Sequence, residues 1–213
     1  SGAARPPPVM LLFVGLGNPG PEHARQRHNV GFMAIDAIVA RHDFGPPKRR
    51  FHGEVAEGRI GPQKVLALKP MTFMNRSGIS AAEAASFYKI APDHMVVFHD
   101  ELDLVAGKVR AKTGGGAAGH NGLRSLDQHV SEGYRRIRIG IGHPGDKNKV
   151  LDWVLRDFAG ADKAWLDPLL DAMAEAAPIL ARGDDAAFMT KVALLTRPPK
   201  PKTDKPQAPE PTN

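Results

Sequence analysis

The 213-residue chain contains no cysteine, which excludes disulfides, thiolate metal sites and a cysteine nucleophile. A reducing compartment is compatible with that absence but not required by it. No stretch approaches the roughly 18 to 20 apolar residues of a membrane-spanning helix. Ser1 to Pro8 lacks the apolar core of a secretory signal. Also missing are a Gly-x-Ser-x-Gly elbow, a Gly-Lys-Ser/Thr phosphate loop and a His-Glu-x-x-His zinc pair. A covalent serine and a helical metal site are therefore disfavoured, and no metal is expected among the nine histidines.

What is present suits one globular domain, since 42% of the residues are hydrophobic. The net charge of +6 carries little information. Residues from Arg197 onward supply +2 of it and Arg5 one more, which leaves about +3 over residues 6–196. That excess is ordinary and does not by itself point to nucleic acid.

The same C-terminal stretch has six prolines in seventeen residues and almost nothing apolar. It cannot bury enough surface to offset its ordering entropy, and is expected to be a disordered tail. Residues 1–8 read as a flexible segment, and residues 9–196, without linker or repeat, as a single domain. Within it Met10–Val14 and Met95–His99 are continuous apolar runs of buried strands. Phe51–Ile60 and Lys64–Leu68 read as strands joined through Gly61-Pro62, with further strands at Val109–Lys112 and Arg135–Ile141. Helical periodicity or composition marks Asn29–His42, Ser80–Lys89, Leu123–Val130, Ala161–Ala181 and Asp184–Leu195. Alternation of the two kinds implies a three-layer α/β/α sandwich around a mixed, largely parallel sheet.

Gly15, Gly17 and Gly20 fit the Gly-x-Gly-x-x-Gly dinucleotide pattern after a strand. That pattern needs a helix starting at the glycines and an acidic residue closing the next strand. Here Pro19 and Pro21 stiffen the turn, a polar stretch delays the helix, and Asp36 falls inside it. The glycines are better read as a tight turn presenting Asn18, and no cofactor is expected.

Further blocks accompany this turn: Arg27-His28-Asn29, the run Lys69 to Gly78, His99-Asp100-Glu101-Leu102-Asp103, the glycine-rich Gly114 to Gly122, and Arg138 to Gly145. In order and spacing they resemble the bacterial peptidyl-tRNA hydrolases, from about Met10 to about Leu194. On their own terms, Asn18, Asn75 and Asp100 each follow a predicted strand, and ligands of open α/β sheets gather at that rim. His28 sits just ahead of the first helix, where it can lean over the same rim. A neutral imidazole with a carboxylate on its other nitrogen is a compact apparatus for activating water.

The resemblance implies hydrolysis of the ester linking peptide to tRNA, with His28 activating water and Asp100 orienting it. It places Asn18 and Asn75 around the peptide or the developing oxyanion, and His120 and Asn121 where the tRNA 3′ end meets the site. Lys112 and Arg138 would clamp the 5′-phosphate. Met74 fits equally a place beneath the site or plain core packing. Asn18 could equally be a turn residue, Asp100 a capping carboxylate, and Glu101 and Asp103 solvated. His23 stands where family members usually carry Tyr, so its stacking and titration mark a departure; Ala117-Ala118 is another. The resemblance also implies a cytoplasmic monomer whose partner is peptidyl-tRNA, with no membrane and no DNA. Three rival readings stand beside it: a non-catalytic RNA-binding relative, which retention of His28, Asp100 and Asn75 argues against; a small-molecule esterase on the same scaffold; and a dinucleotide-binding protein, which is not expected.

Overall fold

The computed structural model describes residues 10–200 together with 202, 203 and 206. The expected N-terminal segment and most of the expected tail lie outside these residues. Seven strands form one sheet: β1 Leu11–Gly15, β2 Lys48–Arg50, β3 Gly53–Ile60, β4 Gln63–Pro70, β5 Met95–Glu101, β6 Val109–Thr113 and β7 Arg135–Gly140. Their order is β2-β3-β4-β1-β5-β7-β6. The four central strands β4, β1, β5 and β7 run parallel, whereas β2–β3–β4 and β6–β7 pair antiparallel. This is the mixed, largely parallel sheet that the sequence implies.

The helices are α1 Val30–Arg41, α2 Ser77–Tyr88, α3 Asn121–His129, α4 Val150–Val154, α5 Lys163–Ala181 and α6 Asp185–Leu195. Strand alternation sends Phe13, Val96 and Phe98 to one face of the sheet, where Ile35, Leu169 and Phe188 of α1, α5 and α6 cover them. Leu12, Val14 and Val97 point the other way, against Ala81 and Ala84 of α2 and Leu126 of α3. Both faces of the central strands are thus dry, which explains why their sequences read as unbroken apolar runs. Each fully buried Phe or Leu contributes roughly 1.5–3 kcal/mol of transfer free energy.

Two differences from the sequence reading have clear causes. Helix α2 starts at Ser77, three residues before the expected Ser80, with Gly78 inside it. A Cβ at Gly78 would lie 2.1 Å from the Ser125 carbonyl oxygen, so this glycine serves the close crossing of α2 and α3 rather than breaking the helix. Strand β2 and helix α4 were not foreseen. The first is a three-residue exposed edge of Lys48, Arg49 and Arg50 without apolar alternation, and the second is only five residues long.

Candidate active site

Parallel alignment brings the C-terminal ends of β4, β1 and β5 to one rim. Asn18 follows β1, Met74 and Asn75 follow β4, and Asp100 is the penultimate residue of β5. A 3-10 turn, Arg27–Asn29, delivers His28 to this rim just before α1. The His28 Nδ1 lies 2.8 Å from Asp100 Oδ2, with side-chain exposures of 12% and 2%. Asp100 is the one hydrogen-bond partner of His28 among the described residues, so its Nε2 stays open to the site.

The residues flanking His28 anchor the turn. Arg27 is 5% exposed and donates through Nη1 to the carbonyl oxygens of Arg156 (3.2 Å) and Asp157 (3.1 Å). Its guanidinium also lies 3.7 Å from the Trp153 ring centroid, so it ties the turn to the end of α4. Asn29 faces the other way. Its Oδ1 accepts from the Asn18 N–H and its Nδ2 donates to the Asn18 carbonyl, both at 2.9 Å. Asn18 in turn accepts the Met74 N–H on Oδ1 at 2.7 Å, which leaves its Nδ2 as the donor with no bond among the described residues. Asn18 is therefore fixed as a turn residue and still keeps one side-chain donor unbonded among the described residues.

His120 is also brought to the site: its Nε2 lies 2.8 Å from Asp100 Oδ1, and the His28 and His120 rings are 5.0 Å apart. Its Nδ1 accepts the backbone N–H groups of Gly122 (3.1 Å) and Leu123 (3.3 Å), so the ring caps α3. A ring that accepts at Nδ1 must carry its proton on Nε2, and that proton is donated to Asp100. One carboxylate thus receives an N–H on each oxygen. His99, next in the chain, is fully buried and donates from Nδ1 to the Asp100 carbonyl at 2.8 Å.

The charges follow from these contacts. Burial disfavours the ionised Asp100, but the charges and hydrogen bonds of His28 and His120 outweigh it and hold the carboxyl well below its ordinary range. Burial likewise opposes protonation of His28, yet the Asp100 charge and hydrogen bond win, and the pKa is raised above 6.5. For His99 burial wins, reinforced by His120, and pushes it down to about 3, so the ring is neutral. His28, Asp100 and His120 have residue types that can hold a metal, with potential ligand atoms within 4.8 Å of one another. The protons, however, are committed: a cation on His120 Nε2 would strip a ring whose Nδ1 already accepts two amides.

The remaining expected residues lie on the rim or beyond it. Asn75 is exposed and makes no side-chain hydrogen bond among the described residues. Asn121 is also exposed, and its Oδ1 accepts from Arg124. Met74 is 4% exposed in the α2/α3 core, so core packing is its main contact. His23 bonds Gln26 through Nδ1 at 2.9 Å, and its ring meets Phe73 edge-on at 6.5 Å. Lys112 and Arg138 lie on adjacent antiparallel strands in registers two residues apart, hence on one face of the sheet. Neither forms an ion pair among the described residues, and the Arg138 Nε is buried without a partner.

Two residues of the site escaped the sequence reading. Arg136, 2% exposed, donates to the Gly115 and Gly116 carbonyls and pairs with Asp127, so it shapes the glycine-rich loop. Phe73 has φ 63° and ψ 156°, a region essentially reserved for glycine, while its ring is 56% exposed beside Met74 and Asn75. Backbone strain of that kind is of order 1–3 kcal/mol. It lies inside the Lys69 to Gly78 block, where the sequence reading gives it no role.

A histidine held by a buried carboxylate at the C-terminal rim of a parallel sheet, with no hydroxyl bonded to it among the described residues and no thiol in the chain, can polarise water but has no covalent nucleophile there to activate. Fold and rim together describe an α/β/α sandwich with a histidine–carboxylate pair at the C-terminal edge of its parallel strands. Comparison with known proteins specifies it further. The family model described as peptidyl-tRNA hydrolase matches residues 12–202. The peptidyl-tRNA hydrolase of Rhodospirillum centenum is 62% identical over 191 residues, covering 90% of this chain and 84% of the relative. That of Dinoroseobacter shibae is 58% identical over 202 residues, covering 92% and 86%. The crystal structure of peptidyl-tRNA hydrolase from Acinetobacter baumannii superposes with a TM-score of 0.82 at 39% identity, covering 89% of this chain and 97% of that one. The chain belongs to the peptidyl-tRNA hydrolase family.

Proposed function

We propose that the chain hydrolyses the ester between the peptide carboxyl and the tRNA ribose, releasing tRNA for reuse in translation, with His28 as general base. The observation that carries this is the 2.8 Å contact of His28 Nδ1 with Asp100, which leaves Nε2 open to a water. In the reaction, Nε2 takes a proton from water as its oxygen attacks the ester carbonyl. The Asn18 Nδ2 and the Asn75 amide steady the oxyanion or grip the peptide, with Met74 beneath them. Protonated His28 then returns the proton to the departing ribose oxygen, so the products are a free carboxylic acid and a tRNA hydroxyl. Asp100 fixes the His28 tautomer and stabilises the imidazolium without taking its proton, because His120 loads its other oxygen.

On the RNA side, Lys112 and Arg138 hold the terminal phosphate, and His120, Asn121 and His23 border the 3′ end. In our reading the enzyme acts as a cytoplasmic monomer on residues 9–196, with peptidyl-tRNA and not DNA or membrane as partner. Among the described residues no helix is long and apolar enough to cross a membrane. The reading is tested by presenting an N-acetylated aminoacyl-tRNA beside its unblocked counterpart. Cleavage of the blocked ester with sparing of the free-amine one is the expected result, and failure to cleave the blocked ester contradicts the reading.

A further inference from the structure

Beside the Asn18 turn opens a groove of about 680 Å³ that the reaction described above does not use. Pro19 and Gly20, directly after Asn18, form one wall, and Arg76, directly after Asn75, forms another. Arg49, Arg50 and His52 enter from β2 and the hairpin that follows it, while Met71 and Ile79 add apolar surface. No lining residue is acidic.

Two of the four basic groups are already committed. Arg50 donates to the Tyr88 hydroxyl at 2.9 Å and lies 4.6 and 4.8 Å from the Phe51 and Phe87 ring centroids. His52 pairs with Glu83 at 2.9 Å. Glu54, which faces Arg49 across the β2–β3 ladder, has its carboxylate 3.3 Å from Lys69. The guanidinium groups of Arg49 and Arg76 are exposed and form no ion pair or hydrogen bond among the described residues.

We propose that this groove receives the peptide arm of the substrate, and that Arg49 and Arg76 favour acidic side chains in the residues just upstream of the ester. The proposal rests on the hydrolase reading and gives it a substrate preference. Sheet order supplies the direction. Strands β2 and β6 are the two edges of the sheet, six strand spacings or roughly 29 Å apart. The unpaired Lys112 and Arg138 lie on the β6–β7 side, Arg49 on the β2 side, and His28 between them. A substrate whose ester sits at His28 sends its arms opposite ways, so with RNA on the β6–β7 side the peptide runs past Asn18 and Asn75 into the groove. Its volume is that of a small-ligand cleft, which fits a short extended segment and not a duplex. Arg76 adjoins Asn75 and meets the residues nearest the ester first.

The test uses N-acetyl-dipeptidyl-tRNAs on one tRNA with a common C-terminal residue and Asp, Ala or Lys before it. Exposed ion pairs are individually weak and screened by salt. The wild-type enzyme is therefore expected to favour Asp over Lys by only about fivefold in kcat/KM at low salt, with the preference shrinking as salt rises. In the double variant Arg49→Ala/Arg76→Ala the ratio falls close to one, and Arg76→Glu alone inverts it. Equal cleavage of the three substrates by wild type overturns the proposal, as does a preference that survives in the double variant. If both variants lose activity on all substrates alike with the ratio unchanged, the groove holds RNA and the proposal falls. Cleavage of none of the three by wild type overturns the hydrolase reading itself, which separates the two failures.

Discussion

Asp100, His120 and Arg27, at the floor of the site, have their polar groups bonded within the protein, whereas Asn75 and Lys112 on the rim stand exposed without partners among the described residues. The floor is a buried network in which one carboxylate accepts from two histidines and a 3-10 turn is bolted at both ends. Such a network is stiff, and its electrostatic contacts are strong because water is excluded. The rim has the opposite character: flexible amides, solvated cations and one exposed aromatic ring on a strained backbone. In the proposed reaction this division puts chemistry on the floor and recognition on the rim. Floor substitutions should lower kcat or stability, and rim substitutions should raise KM and alter the salt dependence.

The largest expected effect is at Asp100. Asp100→Asn removes the charge that holds both histidine protons and should lower kcat by about 10³- to 10⁴-fold, with KM little changed. Steady-state kinetics on a blocked aminoacyl-tRNA will show it, and a change confined to KM would break the division. Arg27→Lys should follow. It keeps the charge but loses the planar fork that reaches the carbonyls at the end of α4, so stability should fall by about 2 kcal/mol in urea unfolding. His120→Ala should cost about 1 kcal/mol as a lost cap and lower kcat roughly tenfold, since Asp100 loses one donor. An unchanged kcat would move His120 out of the floor. Smallest is Lys112→Ala, which should weaken binding of all substrates alike and reduce the slope of log affinity against log salt by about 1.

The sequence made the sheet legible where burial on both faces left unbroken apolar runs, as in Leu11–Gly15 and Met95–Phe98. It hid β2, whose Lys48-Arg49-Arg50 has no apolar pattern, and the true start of α2, where Gly78 permits a close crossing that no local pattern shows. In the site, Asn18, His28 and Asp100 could be placed on one rim because each borders an element with a clear signal. The double role of His120 could not. Capping α3 and bonding a carboxylate twenty residues earlier both depend on how α3 packs beside β5, which no local pattern encodes. Arg136 was hidden for the same reason, since an arginine in a strand reads as surface until its carbonyl partners are in place.

The central claim is that His28, held by Asp100, removes the proton from water, and the pH dependence of cleavage tests it most directly. A general base must be neutral to act, and the Asp100 charge raises the His28 pKa. Single-turnover cleavage of a blocked aminoacyl-tRNA should therefore rise with pH through a midpoint above about 6.5. In His28→Ala the rate should fall by about 10²- to 10⁴-fold and this limb should vanish, while tRNA binding is retained. Near-normal turnover by His28→Ala, or an unchanged limb in that variant, would contradict the account.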